Sequence, residues 1–449
     1  MIVNDFRVGP DSRAPQGFVL AIGAALLLCV AIASLGFMAL VQRGDQKDRA
    51  MHLADSASLA AAKWQAQILN YHAYANRAIA ANEIMMVQSL TLLSWVGHMN
   101  QMIKNVGTVS ALFPPMRAAA ESLKQVAEQT KRATEIGVAA EIPMRSAYAH
   151  ALSASQKVMH DTGSPFATQA LINEIVWTAN QGYFGQYLPT SDLSKLYFGT
   201  RPHDGADRAP YASHIIQSID PFSVSRGFDS RLYLLPTGGC IPTSIDRAFG
   251  KLVRRGGSGY EEHYTGITAV DTLSAHQWRK RSWWRPTCSS IDESFPISWG
   301  AASTAANPDL YRYGGSGANP GAAGRARDEM ARVSGYQGLP PLWDVKDTAK
   351  RSEYERFRIS VMVRGRAATG TSADSERVVV GLQPLLKLPE TARLYSVSSS
   401  EVYFDKRPLS GVAYLPNLFE PRWNARLVTN NQSDLLAAEA SLNASEQRE

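Results

Sequence analysis

Residues 18–41 carry no charged side chain, whereas the rest of the chain interleaves apolar and polar positions. As a helix rising ~1.5 Å per residue, such a run covers the ~30 Å hydrocarbon core of a bilayer. Gly23, Ser34 and Gly36 supply the small residues that let membrane helices approach closely, a candidate route to self-association through the anchor. The pattern predicts one transmembrane helix over 18–41 after a leader over 1–17. A cleaved signal peptide is the competing reading, with Ala31-Ile32-Ala33 before Ser34 as its cleavage site. Against it stand the balanced leader (Asp5, Arg7, Asp11, Arg13) and the apolar residues that continue through Val41. Basic residues flank both ends, Arg7 and Arg13 against Arg43, Lys47 and Arg49, so charge leaves the orientation open.

Beyond the span the hydrophobic period is helical. Alanine-rich residues 52–64 lead to Met86, Leu90, Leu93 and Val96, which share a face. Gly107 and Pro114-Pro115 break the pattern, and further helices are expected over 116–136 and 145–159. Ser164-Pro165 reads as an N-cap and first-turn proline opening a helix through Asn180. From about Gly182 the texture changes to short alternating runs. Strands are expected at 230–236, 263–270, 355–364, 377–381 and 392–398, the last running on to 401–404. Residues 313–324 read as a flexible glycine-rich loop and 429–449 as a flexible polar tail. The fold class is therefore α+β. A membrane helix precedes a helical juxtamembrane region over 42–181 and a mixed helix-and-strand domain over 182–428.

Composition supports a globular body: 45% hydrophobic and 19% charged residues exclude a disordered tail, and a net charge of +6 over 449 residues is too diffuse to indicate nucleic acid. Catalytic signals are weak. Gly256-Gly-Ser-Gly259 and Gly314-Gly-Ser-Gly317 lack the spacing of a nucleophile elbow or a phosphate loop and read as flexible turns. Glu261, Glu262, His263, Asp271 and His276 offer metal-ligand chemistry without a recognised spacing, and solvated strand ends explain them better. No catalytic, cofactor or metal residue is assigned. Cys29 lies in the span, whereas Cys240 and Cys288 form a candidate disulfide outside the cytosol, or two ordinary thiols within it. Trp278, Arg279, Lys280, Arg281, Trp283, Trp284 and Arg285 form the densest basic and aromatic cluster, a candidate interaction patch. Arg43-Gly44-Asp45 lies against the headgroups and is attributed to chance.

Gly17-Phe-Val-Leu-Ala-Ile, the apolar span and then Asp55, Ala57, Leu59 and Ala60 in an alanine-rich segment resemble the N-terminal module of TadE/TadG-like proteins of tight-adherence (Flp) pilus assembly. Residues 76–82, 88–90 with 94–95, 401–404 and 417–427 are similar to longer pilus-assembly members. The resemblance implies a single-pass protein of the bacterial inner membrane, its N-terminus cytoplasmic and its bulk periplasmic, with other pilus-assembly or secretion proteins as partners. That location fits the cysteine pair. The resemblance also makes Gly17-Phe18 a candidate processing site, yet the fifth position after it is Ile22 where pilin-like relatives carry glutamate. The Asp-x-Ser-x-Ser signature of a metal-dependent adhesion site is missing from the sequence. The function expected is structural and non-enzymatic. The alternative is a single-pass sensor or ligand-binding receptor, and an anchored enzyme comes third.

Overall fold

A computed structural model describes residues 16–110, 117–365, 394–407 and 415–446. Its first helix, α1 (Gln16–Ser110), is unbroken over 95 residues. Within it Ala21–Met38 is long and apolar enough to cross a membrane, and no part of that stretch is buried by the body. Gly44–Thr108 passes the same test of length and composition, but half of it is buried, as in a core helix. The span and the spine of the body are thus one helix.

Helix α2 (Arg117–Thr162) runs back along α1, followed by α3 (Pro165–Ala179). The two helices expected over 116–136 and 145–159 are one, because Pro143 sits inside α2 without ending it. Proline removes one helical hydrogen bond, and tertiary packing offsets that loss: Val138, Ile142 and Ala149 are buried on either side of it. Ser164 caps α3 as its position predicts, accepting from the amide of Ala167 at 3.3 Å. Pro114-Pro115 and the strand expected at 377–381 lie outside the described residues.

The remaining elements follow in chain order. They begin with β1 (Tyr183–Tyr187), α4 (Leu193–Gly199), β2 (Thr200–His203), α5 (Ala209–Gln217) and α6 (Pro221–Val224). Next come β3 (Phe228–Pro236), β4 (Phe249–Tyr260), β5 (Ile267–Ser282), β6 (Arg285–Ser303), α7 (Pro320–Asp328) and β7 (Ala331–Arg332). Last are β8 (Leu342–Val345), β9 (Arg356–Gly365), β10 (Tyr395–Phe404), β11 (Trp423–Val428) and α8 (Gln432–Glu446). They form three sheets, ordered β1-β9-β10-β11, β2-β8 and β3-β4-β5-β6-β7.

Both large sheets pack on α1. Ala50, Ala54, Ala57, Ala61 and Ala62 share a core with Phe357, Ile359, Val361, Val363 and Val402 of the four-stranded sheet. Farther along, Ile79, Met86, Leu90 and Leu93 share a second core with Ile267, Ala269 and Ala302 of the five-stranded sheet. Helical and strand-bearing regions therefore do not have separate cores. Alanine lets backbone approach backbone in the first contact, and glycine does so in the second. Gly97 of α1 faces Gly300 of β6, where a Cβ at Gly300 would collide with the carbonyl of Ser94 and the amide of His98.

Polar residues of α1 fix the register. The Asn70 side chain pairs with both backbone groups of Trp423, at 2.8 and 3.0 Å. Asn76 donates to the carbonyls of Trp343 and Leu418, each at 2.6 Å, and accepts from the amide of Trp343 at 3.2 Å. Buried amides and carbonyls need partners, so these asparagines specify where each strand meets the helix.

Three expectations are corrected. The tail carries α8, because Asp434 is fully buried against Ser360 and Ser399 while Ala438 and Leu442 pack beside Leu188 and Met362. The loop over 313–324 is ordered: Asn319 donates to the carbonyl of Val253 at 3.0 Å, and Ala322, Ala323 and Ala326 of α7 are buried. Gly256-Gly-Ser-Gly259 is part of β4, where Gly256 and Gly257 lie against the backbone of Gly314. Glycine serves backbone contact at these places, and flexibility is not its role.

Candidate interaction site at the hairpin tip

Strands β5 and β6 form a hairpin whose last pair is Ser282 with Arg285, which leaves Trp283 and Trp284 as the turn. Their side chains are 73% and 81% exposed, the reverse of where tryptophan normally resides. The two rings meet edge to face at 4.4 Å. Arg279, Lys280, Arg281 and Arg285 are exposed behind them, and none forms an ion pair among the described residues.

The base of the tip is braced. Cys240 and Cys288 are joined in a disulfide with Cα atoms 5.0 Å apart. The amide of Ile241 donates to the carbonyl of Pro286 at 2.7 Å, and the amide of Cys288 donates to the carbonyl of Ile241 at 2.9 Å. Arg247 donates to the carbonyl of Cys288 at 2.8 Å while its guanidinium lies 5.2 Å from the Trp278 ring centre. Trp278 therefore does not belong with the exposed patch. It is half-buried at the base, where it lines a polar cleft of about 550 Å³ with Asp229, Arg231, Asp246, Arg247 and Lys251.

The other residues singled out by sequence separate. Asp271 is fully buried and takes Arg226 in a two-pronged ion pair at 2.8 and 2.9 Å; Ser94 donates to it at 2.9 Å. His276 is buried against Asn319 Oδ1 at 2.7 Å, and His263 lies in a turn with φ of 57°. Asp271 and His276 are thus core residues and not solvated strand ends, because each has a polar partner that offsets desolvation. Among the described residues no group of three His, Cys, Asp or Glu side chains is placed to hold a metal ion. Gly17 and Phe18 lie in the first turn of α1.

A second polar site was not anticipated. Glu83, fully buried on α1, accepts from Tyr260 at 2.8 Å and Tyr336 at 2.9 Å, both on Oε2, while Oε1 has no partner among the described residues. Desolvation raises its carboxyl to about 7, against the lowering effect of the two tyrosines and Arg208. The sequence signal was a carboxylate set four residues after Ile79 and three before Met86, on an apolar face.

A carboxyl that binds its proton more tightly folded than unfolded gives stability at low pH that is lost as pH rises. The window runs from the ordinary value of 4.5 to about 7, with a limiting slope of ~1.4 kcal/mol per pH unit. Glu83→Gln should remove this component. The stability difference between E83Q and wild type should therefore shift in favour of E83Q as pH rises from 4.5 to about 7. Urea midpoints across that range check it, and a constant difference contradicts it.

No protein family, curated protein or solved structure matches the chain.

Proposed function

We propose that this chain is a membrane-anchored structural component of a Tad/Flp-type pilus assembly or a related secretion machine, acting through contacts rather than catalysis. The single observation that carries the reading is the continuity of α1, which joins an apolar span to a body clamped along most of its length. An unbroken helix tied by Asn70, Asn76 and Ser94 to successive strands resists bending, so it holds surfaces at fixed heights above a bilayer. Anchor order and the alanine-rich segment after it supply the resemblance to TadE/TadG-like proteins. The Cys240–Cys288 bond suits an oxidising compartment, which favours a periplasmic body and a cytoplasmic leader.

Deleting the gene should abolish surface filaments, and the wild-type chain supplied in trans should restore them. A deletion strain with filaments of normal number and length would contradict the proposal.

A further inference from the structure

The hairpin tip has a definite place along α1. Tyr183 donates to the carbonyl of Gln46, Asn70 binds Trp423, Asn76 binds Trp343, and Tyr260 binds Glu83. Ser94 then donates to the carbonyl of Gly300, and Asn105 to that of Ile297. The body is thus strung along the helix in order. From Val41 to Asn105 the path rises ~100 Å at ~1.5 Å per residue. At its far end the strand number of β6 falls as the helix number rises, so β6 leads outward to Trp284. The tip lies at the pole opposite the span.

Its chemistry is zoned. Trp283 and Trp284 form the apex, the Ser282–Arg285 pair closes it, Arg281 follows next to Ser282, and Arg279 and Lys280 lie behind. No acidic residue occurs between Arg279 and Ile291. Exposed Ile241 borders the same end through its bridge to Thr287. Tryptophan prefers the headgroup zone of a bilayer, and cations just behind it reach anionic phosphates. The apex is convex and held by the disulfide-linked loop, so little order is lost on contact. A convex apex needs a matching pocket in a protein but none in a lipid surface.

We propose that the tip docks on an anionic lipid surface, a bilayer other than the one that α1 enters. Only the exclusion of the anchor's own bilayer rests on the functional reading above; the chemistry of the tip stands without it.

The test uses the full chain reconstituted in phosphatidylcholine nanodiscs and mixed with vesicles of phosphatidylcholine and phosphatidylglycerol. Flotation should carry the nanodiscs upward with these vesicles but not with pure phosphatidylcholine vesicles. The double variants W283S/W284S and R281E/R285E should each lower recovery by ~tenfold or more while melting as wild type does, since these side chains are exposed. Wild-type nanodiscs left at the bottom, or tip variants that float equally, overturn the proposal. Binding to a polyglutamate resin through the same residues, without flotation, overturns it in favour of an acidic protein. A chain that fails to co-elute with nanodiscs contradicts the anchor alone, and its direct flotation with the same vesicles still decides the tip.

Discussion

Asp271→Ala is expected to destabilise the body by about 3–5 kcal/mol, because it strands the guanidinium of Arg226 in the core. The Arg226 and Asp271 side chains are 2% and 0% exposed, so water cannot replace the lost partner. Arg226 also donates to the carbonyls of Phe222 and Ser223, which holds it in place when the carboxylate is gone. Arg254, 3.8 Å from Asp271, adds a second positive charge to the same spot. The substitution further removes one of the two acceptors of the Ser94 hydroxyl, leaving the carbonyl of Gly300 as its tie to the five-stranded sheet. The double variant R226M/D271L should cost clearly less than D271A alone, since it removes the unpaired charge along with the pair. Urea unfolding of the detergent-solubilised chain reads both. A D271A loss of ~1 kcal/mol or less would mean that the pair is hydrated and the sheet is less tightly closed than described.

Loss of the Cys240–Cys288 bond is the second large effect. The bond closes a loop with a sequence separation of 48, and the chain-entropy model assigns such a loop about 4 kcal/mol of stabilisation. The damage should concentrate at the tip, because the loop bearing Cys240 supplies the amide of Ile241 and the guanidinium of Arg247 to the outer part of β6. In the C240A/C288A variant, hydrogen exchange should accelerate around residues 237–248 and 280–290 and stay near wild type at Asn70 and Asn76. Unchanged exchange at the tip would show that the hydrogen bonds alone brace it.

Much of the helical part of this fold is legible in the sequence. Alanine spacing after the span, the face made by Met86, Leu90 and Leu93, and the Ser164-Pro165 start all reflect local rules that packing obeys. The sheets were less legible where the deciding contacts are distant. Strand β4 was missed because Gly256 and Gly257 read as a turn until Gly314 is placed against them. Residues 263–270 mix a turn at Glu262–Tyr264 with the start of β5, so the alternation spanned a boundary. Helix α8 looked like a polar tail because its few buried residues, Asp434, Ala438 and Leu442, are spaced among exposed ones.

The candidate site divides the same way. Six residues of the cluster stand out by composition alone, as an aromatic and basic run with no acidic residue between Arg279 and Ile291. Trp278 and the Glu83 site were not separable by spacing, because their environments are made by Arg247, Tyr260 and Tyr336 from other parts of the chain.

The side of the membrane on which the body lies separates the proposed function from its alternatives. On the proposed function, α1 crosses once and carries everything after it into an oxidising compartment. Alkaline phosphatase fused after Glu449 should be active in cells and remain in the membrane fraction after alkaline extraction, while a β-galactosidase fusion at the same point should be inactive. An inactive phosphatase with an active galactosidase, or an active fusion recovered as a soluble protein beginning at Ser34, would contradict it.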